Sequence, residues 1–497
     1  MSENEQQPPH EQQPLHRLVE ERLRKLEALA ARGNPYPYRY DRTHTSAGLV
    51  ADEAALTASG AEVRIAGRIM AKRSAGKTIF LPLQDGEGRI QIYARRDDLG
   101  EEDYEAFKKL LDLGDLIGVA GKLFRTNTGE LTVHVSAWEL LAKSLRPLPE
   151  KFHDMSLELR SRKRHLDLIM NPESRDRFRR RSALLDEVRR FLIDRDFLEV
   201  ETPVLQPLYG GATARPFTTH HNALDQRLYL RIADELYLKR LIVGGLERVF
   251  EFCKDFRNEG MDRTHNPEFT MMECYAAYWD YHDMMELFET LMRRLAAKFG
   301  RDGKLAYGEH ELDFSGGFRR LRFLDGLRER TGVDFRGLGR EEIRAHAERL
   351  GVPVRPEMGA DKILDAMFGE LVEPTLIQPT FVMDHPKELS PLAKGHRDDP
   401  ALVERFEGFV AGFEICNSFS ELNDPREQRR RFADQMDLRA KGDDEAQVMD
   451  EDYLEAMEIG MPPTGGLGVG LDRLVMLFTG CHAIRDVLLF PAMRPEE

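Results

Sequence analysis

Residues 256–270 read FRNEGMDRTHNPEFT, a charged stretch between two apolar runs, RVFEF at 248–252 and MMECYAAY at 271–278. Both runs are rich in the aromatic and β-branched residues that favour strands, so they predict a β-hairpin with a long charged turn. Such a turn, which carries Arg257 and Glu259, is either a solvated loop or the rim of a binding site.

The parity of the side chains along this hairpin predicts which residues share a face. Alternate residues of a strand point to the same side, so Phe269, Glu273 and Tyr275 should lie together. Phe250 in the first strand should face the core, and Arg257 the opposite side. An ordinary sheet face with cross-strand ion pairs explains the same pattern, so the hairpin alone leaves both interpretations open.

A second segment, RFEGFVAGFEICNSFSELND at 405–424, reads as strand and carries several acidic side chains. Glu407 and Glu414 suit Mg²⁺, which takes one or two carboxylates together with substrate phosphates. Asn417 and Glu421 have one parity and Glu414 has the other. These residues can serve one cavity only if the strand bulges, twists or lies between two ligand groups.

A third segment, GLGVGLDRLVMLF at 466–478, predicts a glycine-rich strand that runs into an apolar helix. Leu471 stands where the dinucleotide-binding fingerprint requires its third glycine, so that fingerprint is excluded. Glycines on a strand permit close approach by a flat ligand, and Arg473 adds positive charge at a helix start, where phosphates bind. A packing strand before a core helix would explain the glycines but not the arginine.

The residues from 61 to 140 form short alternating runs separated by turn signals, which predicts a small β-barrel of the OB type. In such a barrel, Phe80 and Gln91 could offer a stacking ring and an amide to an unpaired base. A core phenylalanine and an exposed glutamine explain the two residues without a ligand. Before the barrel, residues 1–14 read as disordered and residues 15–32 as an amphipathic helix.

The composition is that of a globular protein with two or three domains: 497 residues, 41% hydrophobic and 32% charged. No apolar run approaches the length of a membrane helix, and the polar start lacks the apolar centre of a signal peptide, so we expect a cytoplasmic protein without a membrane partner. The four cysteines lie far apart, which argues against a zinc site and a disulfide framework. The net charge of −15 is unevenly spread, with a basic region at 160–190 and an acidic one at 443–458.

The remaining segments predict helices and one edge strand. Helices are predicted at 176–193 and 282–299 from their apolar spacing. Pro203 lies in a strand-like run, and because proline is confined to sheet edges, an edge strand and a homodimer are expected. Residues 302–395 form a mixed insertion with two helices, predicted at 340–350 and 360–372.

These motifs together resemble the class II aminoacyl-tRNA synthetases. Pro203 in its helix-strand setting, FRNE in the hairpin and GLGVGLDR are similar to that family's three motifs, in the same order. Four further segments closely resemble the bacterial lysyl-tRNA synthetases, so the resemblance covers nearly the whole chain. The segments are YGGATARPFTTHHN (209–222), RIADELYLKR (231–240), HNPEFTMMECYAAY (265–278) and IRDVLLFPAMRP (484–495).

The resemblance implies an α+β protein with an N-terminal OB-fold barrel and a class II catalytic domain, an antiparallel sheet flanked by helices. Residues 1–60 would be an N-terminal extension, 61–145 the anticodon-binding domain, 146–175 a linker and 176–497 the catalytic domain, with a helical insertion around 302–395. The implied reaction joins lysine to ATP as lysyl-adenylate and then transfers lysine to the 3′ end of tRNA-Lys.

The resemblance also implies residue roles. Arg257 would hold the α-phosphate of ATP and the lysine carboxylate, and Arg473 the γ-phosphate, which makes these two the catalytic residues. Adenine would lie between Phe269 and Arg473. The other ATP-binding residues would be Glu259, His265, Asn266 and Glu414, and Mg²⁺ would be held by Glu407 and Glu414. Lysine would be bound by Gly211 and Glu235 (α-amino group), Asn417 (carboxylate), Glu273, Tyr275 and Glu421 (ε-ammonium), and Phe419. The anticodon would be read by Phe80 and Gln91.

Two other functions fit parts of the same sequence. An enzyme of this type could attach lysine to a protein instead of tRNA, but such relatives usually lack the barrel. A catalytically silent relative could only bind RNA, but the charged residues named above are intact. Because a buried ammonium is costly unless it is paired, a pocket with Glu273 and Glu421 should select lysine over neutral amino acids.

Overall fold

The computed structural model describes residues 12–149, 155–356, 358–440 and 446–496. Most of the polar start, part of the predicted linker and part of the acidic region lie outside the described residues. The chain divides into two compact units, Met1–Asp154 and Met155–Glu497. Within the described residues, every helix is too short or too polar to span a bilayer.

The first unit is built on a six-stranded sheet that closes on itself. Its strand order is β1-β5-β6-β4-β3-β2, and an additional pairing of β1 with β3 closes the barrel. Buried and half-buried side chains alternate along β4, as a sheet curved around an apolar core requires. The predicted OB-type barrel and the N-terminal helix are confirmed. The elements are α1 (Gln12–Ala30), α2 (Ser46–Ala51), α3 (Glu53–Ser59), β1 (Glu62–Ile69), β2 (Arg73–Ala75), β3 (Thr78–Gln84), β4 (Arg89–Arg95), α4 (Arg96–Leu99), α5 (Glu101–Leu110), β5 (Leu116–Arg125) and β6 (Leu131–Ala142).

The second unit is organised around an eight-stranded sheet of order β15-β16-β17-β18-β19-β12-β11-β7, antiparallel in the middle and parallel at both edges. Its first elements are α6 (Leu157–Arg162), α7 (Arg164–Met170), α8 (Pro172–Ile193), β7 (Leu198–Glu199), β8 (Leu205–Gln206), β9 (Thr218–His221), β10 (Gln226–Leu230), α9 (Glu235–Val243), β11 (Arg248–Phe256), β12 (Glu268–Ala277) and α10 (Tyr281–Phe299). They are followed by β13 (Lys304–Tyr307), β14 (His310–Asp313), β15 (Arg319–Arg322), α11 (Phe323–Thr331), α12 (Arg340–Arg349), α13 (Ala360–Leu371), β16 (Thr380–Met383), β17 (Arg405–Val410), β18 (Phe413–Ser420), α14 (Pro425–Ala440), α15 (Glu451–Gly460), β19 (Thr464–Gly470) and α16 (Leu471–Thr479).

One face of this sheet packs on helices α8, α10 and α16. The apolar stripes of these helices, which include Val188, Leu291 and Leu474, form one buried cluster with Phe250 and Met272 of the sheet. Even-numbered residues of β12 therefore face the core. Its odd-numbered residues must face the other side, where no helix of this cluster covers them.

One sequence expectation requires correction. Pro203 lies outside every described strand, because the edge strand β7 ends at Glu199, before the proline. The mixed insertion at 302–395 contains both predicted helices, and it also contains α11 and the strands β15 and β16, which extend the main sheet. The sequence concealed these strands because four-residue runs such as RRLR carry almost no periodicity.

Candidate active site

A cavity of about 410 Å³ opens on the sheet face that α8, α10 and α16 leave uncovered. Its wall includes every residue that the sequence assigned to ATP, lysine or Mg²⁺, from Gly211 to Arg473. The hairpin turn, strands β12, β17, β18 and β19, and the starts of α9 and α16 all contribute. A concave site of this size, with a few converging charged groups, is typical of a small-molecule site.

The predicted hairpin and its parity are confirmed. Strands β11 and β12 pair from Arg248↔Ala276 to Phe256↔Glu268, and the charged stretch forms the turn between them. Phe269, Glu273 and Tyr275 all line the cavity. The guanidinium carbon of Arg257 lies 5.0 Å from the centre of the Phe269 ring. Among the described residues, nothing accepts a hydrogen bond from Arg257 Nε, which leaves this donor for a ligand.

A β-bulge resolves the parity conflict in the 405–424 segment. Gly408 pairs with Cys416 while the next residue, Phe409, pairs with Glu414, so Ile415 is the extra residue. An extra residue in a strand reverses the alternation of side chains between the two faces of the sheet for the residues beyond it. Glu414 therefore reaches the same cavity as Asn417, and the prediction that these residues could share a site only through such a feature is confirmed.

Strand β19 forms the floor of the cavity, and its Gly466 leaves space that two side chains occupy. A Cβ atom at Gly466 would lie 2.0 Å from Glu421 Oε1 and 2.6 Å from Tyr275 Cε1. At Gly468, two residues further on, a Cβ would meet nothing nearer than the terminal methyl of Met271, at 3.4 Å. Gly466 and Gly468 are thus not equivalent, since only Gly466 leaves room for the Glu421 and Tyr275 side chains.

The basic end of the cavity is formed by Arg257 and Arg473. Arg473 lies in the first turn of α16, with Nη2 3.0 Å from His265 Nε2. Its Nη1 donates to the Glu414 carbonyl at 2.9 Å. Asp472 accepts from the Thr270 amide at 2.8 Å, which ties the start of α16 to β12.

Two carboxylates, Glu407 and Glu414, line the cavity at the end that holds Arg473, and their charges reach a third, Glu373. Burial and then the charges of Glu407 and Glu414 raise the pKa of Glu373 to about 7, and burial and then Glu407 raise the pKa of Glu414. Arg405 and His385 overcome the effect of burial and lower the pKa of Glu407 to about 2. These carboxylates therefore repel one another, which makes the ionised forms of Glu373 and Glu414 less favourable.

The acidic end of the cavity contains Glu235, Glu273 and Glu421, all buried. Tyr275 donates to Glu273 at 2.8 Å. Burial and then the Asp255 carboxylate raise the pKa of Glu273 to about 8. A buried ammonium, Lys239 Nζ, contacts both Glu235 and Glu421. Within the described residues no donor reaches Glu421 Oε1, so a second cation placed among these carboxylates would find an acceptor there.

Below the acidic end, a charged network supports β11. Arg231 pairs with Glu251 at 2.6 Å and with Asp255 at 3.4 Å. Asp234, Cys253 and Asp255 are the one group of three potential metal-binding side chains that the described residues bring within 4.8 Å of one another. Because Arg231 already balances part of this charge, we assign no metal to the group.

Comparisons with known proteins agree with this geometry. Residues 156–494 match the model of the family described as tRNA synthetases class II (D, K and N), and residues 63–141 match that of the OB-fold nucleic acid binding domain. The chain is 52% identical to the lysine--tRNA ligase of Carboxydothermus hydrogenoformans, over 98% of this chain and all of that protein. It is 54% identical to that of Roseiflexus castenholzii, over 97% and 100%, and 50% identical to that of an Enterobacter species, over the full length of both.

The chain belongs to the lysine--tRNA ligases, within the class II tRNA synthetases. The predicted fold class, an OB barrel followed by a class II catalytic domain, is confirmed. The chain is thus an enzyme of the ligase class, and ATP is the nucleotide that this family uses.

In this class II ligase, the sequence did not predict two charged residues of the site, Arg405 and Lys239. Arg405 donates from Nε to Asn417 Oδ1 at 3.0 Å and pairs with Glu407, so it orients residues assigned to both lysine and Mg²⁺. Lys239 lies four residues after Glu235 in ELYLK, and this helical spacing was the one signal that could have revealed it.

The barrel of the ligase carries a second candidate surface. Phe80 and Gln91 alternate with buried residues and lie on the outside of the barrel, so the alternative of a core phenylalanine is wrong. The Phe80 ring lies 4.9 Å from Tyr93, which in turn lies 5.7 Å from Phe124 and 5.2 Å from His134. Gln91 Nε2 donates to Thr132 at 3.0 Å. The sequence had identified one ring of a larger aromatic cluster.

Proposed function

We propose that this protein activates lysine with ATP and transfers it to the 3′ end of tRNA-Lys for protein synthesis. The observation that carries the proposal is the polarity of one cavity, with carboxylates at one end and two arginines at the other. An amino acid with a cationic side chain fits the first end, and a triphosphate the second. The barrel supplies an aromatic surface suited to unpaired bases.

Substrate binding follows the residues of the two ends. Glu273, Tyr275 and Glu421 take the ε-ammonium, Gly211 and Glu235 the α-amino group, and Asn417 the carboxylate. Phe419 borders the aliphatic chain. Arg257 bridges the lysine carboxylate and the α-phosphate. Adenine lies between Phe269 and Arg473, and Arg473 also holds the γ-phosphate. Glu259, His265 and Asn266 complete the ATP site, together with Glu414.

In this arrangement, the lysine carboxylate attacks the α-phosphorus and pyrophosphate leaves, so the chemistry needs no nucleophile from the protein. Arg257 holds both reacting groups and converts a reaction between two molecules into one within a complex. The guanidinium groups also stabilise the negative charge that develops on the phosphate oxygens. The ribose hydroxyl at the tRNA end then attacks the lysyl carbonyl carbon, the bond to the phosphate breaks, and AMP leaves.

We propose Glu407 and Glu414 as ligands of Mg²⁺. Both line the cavity, and a divalent cation held between them would relieve the repulsion from Glu407 that raises the pKa of Glu414. When bound, Mg²⁺ neutralises phosphate charge and orients the leaving pyrophosphate.

A homodimer and a cytoplasmic location complete the proposal. Exposed apolar side chains cluster in sequence around the edge strand β7, where a second copy could cover them. They are Ile193, Leu198, Val204, Leu205 and Leu208. An isologous contact through this edge is consistent with the symmetry of most soluble dimers.

The KM for lysine should fall as pH rises. The pKa of Glu273 is raised to about 8, so at pH 7 most molecules carry a neutral carboxyl that cannot pair with an ammonium, and at pH 8.5 most carry a carboxylate. We expect the KM to fall roughly tenfold between pH 7 and pH 8.5, measured by pyrophosphate exchange. The KM for ATP should change far less with pH. In Glu273→Gln, the KM for lysine should vary little with pH. A lysine profile equally steep in Glu273→Gln would rule out this residue as the titrating group.

Phe80→Ala should weaken tRNA use without affecting lysine activation. Loss of one stacked base costs about 1–3 kcal/mol, so we expect the KM for tRNA in aminoacylation to rise about tenfold or more. The rate of pyrophosphate exchange without tRNA should stay within about twofold of the parent. Leu113→Ala, which removes another exposed side chain of the first unit, is the matched control. An equal effect of both variants on tRNA use would show that the aromatic cluster is not the contact surface.

The function itself is tested by lysine-dependent exchange of pyrophosphate into ATP, followed by charging of tRNA-Lys. Both activities are expected. Exchange without charging would favour the enzyme that attaches lysine to a protein, and absence of exchange would favour a silent RNA-binding relative.

A further inference from the structure

Lys239 is a fully buried ammonium at the acidic end of the cavity. It lies on α9, one turn after Glu235, and its side chain has 0% relative exposure. Its Nζ contacts a carboxylate oxygen of Glu235 and Oε2 of Glu421. These are the two residues assigned to the opposite ends of the lysine substrate, so one side chain of the protein connects both halves of the amino acid site.

The position of Glu421 shows how its two oxygens are divided. Oε2 faces Lys239, whereas Oε1 lies beside Gly466 and the Tyr275 ring, on the cavity side. Oε1 accepts no hydrogen bond from the described part of the chain. One oxygen is therefore held by the protein and the other is available to an ammonium of the substrate.

The charge balance explains why a buried cation is needed here. Two carboxylates that share a site cannot both ionise easily, because each raises the pKa of the other. Burial already raises the pKa of both Glu235 and Glu421, and the Lys239 ammonium counteracts this in both cases. Burial also pulls the pKa of Lys239 down, but Glu235 and Glu421 outweigh burial and hold it above its usual value. When all three are ionised, they carry one net negative charge.

The other groups near Lys239 do not replace it. Tyr453 of α15 and the Phe419 ring of β18, whose centre is 5.4 Å from Nζ, complete its surroundings. Glu273 on β12, whose pKa is about 8, adds negative charge near Glu421 only as the pH rises past that value. Arg405 of β17 also lowers the pKa of Glu235, but it pairs with Glu407, so Lys239 is the cation that contacts both carboxylates directly.

We propose that Lys239 is a positioning and specificity-determining residue, whose ammonium fixes Glu235 and Glu421 and keeps both ionised. The pocket then presents one unbalanced negative charge to the side chain of the substrate. An ammonium neutralises this charge, whereas a neutral side chain of the same length would leave it buried and unpaired. The inference rests on the proposed function, because it assigns the cavity to lysine.

Lys239→Met keeps the length of the side chain and removes its charge. The two carboxylates should then share a proton, which competes with the substrate ammonium. At pH 7 we expect the KM for lysine to rise about a hundredfold, with a far smaller change in kcat and in the KM for ATP. Because the competing proton is lost at higher pH, the ratio of the variant's KM to the parent's should shrink severalfold by pH 8.5.

Two further variants distinguish the effect of losing the Lys239 charge from the effect of disturbing the packing around it. Arg240→Met, on the same helix, removes a cation that pairs with Asp450 at 2.8 Å and should leave the KM ratio near one at every pH. Lys239→Arg keeps the charge and should follow the parent's pH profile, and it decides the question alone if Lys239→Met does not fold. A KM ratio that does not vary with pH in Lys239→Met, or a pH-dependent ratio in Lys239→Arg, would overturn the inference. Absence of lysine-dependent exchange in the parent would instead overturn the proposed function.

Discussion

Gly466→Ala should abolish lysine activation while leaving the protein folded and able to bind ATP. The new Cβ would lie 2.0 Å from Glu421 Oε1 and 2.6 Å from the Tyr275 ring. The strand cannot retreat, because Gly466 is paired with Tyr275 on one side and with Phe419 on the other. Glu421 must therefore move out of the position that receives the ammonium, and we expect kcat/KM for lysine to fall about a hundredfold or more.

The matched control is Gly468→Ala on the same strand and the same face. The nearest atom to its Cβ would be the flexible end of Met271, at 3.4 Å, and the Asn417 carbonyl and Glu273 Cγ would lie at an ordinary contact distance of 3.8 Å, so the loss of kcat/KM for lysine should be much smaller. Pyrophosphate exchange at varied lysine and ATP concentrations, together with thermal unfolding, measures both variants. If kcat/KM for lysine fell equally in the two variants, the space beside Gly466 would have no special role in binding lysine.

Glu421→Gln should impair the use of lysine far more than the use of ATP. The substitution replaces the carboxylate that faces the ε-ammonium by a neutral amide of similar shape. Loss of one partner from a buried charge pair costs about 2–5 kcal/mol, so kcat/KM for lysine should fall at least about thirtyfold. The KM for ATP should change less than about threefold, since Arg257 and Arg473 are untouched.

Norleucine, which has the length of lysine without its ammonium, provides the control for this variant. In the parent it should support almost no exchange, because it would leave carboxylates buried and unpaired. In Glu421→Gln the preference for lysine over norleucine should shrink. The assignment of Glu421 to the ammonium would be incorrect if the variant used lysine and ATP equally poorly. It would also have to keep the parent's preference for lysine over norleucine.

The catalytic fold was predictable where local patterns are strong. The hairpin around 257–267, the helix of α10 and the transition from β19 to α16 each follow from periodicity and turn residues, and each is found where expected. The short strands β15 and β16 were not predictable, because their pairing depends on neighbours distant in the chain. The position of Pro203 just beyond β7, rather than inside it, was also missed.

The candidate site was predictable in its residues but not in its geometry. The resemblance to a known family identified the residues that line the cavity, whereas parity alone placed Glu414 on the wrong side. The bulge at Ile415 that corrects this is a property of register, which a single sequence does not reveal. Lys239 was missed because a lysine on a helix is normally a solvated residue, and only its burial between two carboxylates gives it a role.

The most direct test of the account is a crystal structure of the protein with lysine and a non-hydrolysable ATP analogue. We predict that the ε-nitrogen of lysine lies within hydrogen-bonding distance of Glu421 Oε1, and that the α-phosphate of the analogue contacts Arg257. Lysine bound with its ε-ammonium away from Glu273 and Glu421, or the nucleotide bound outside this cavity, would contradict the proposal that one cavity joins the two substrates.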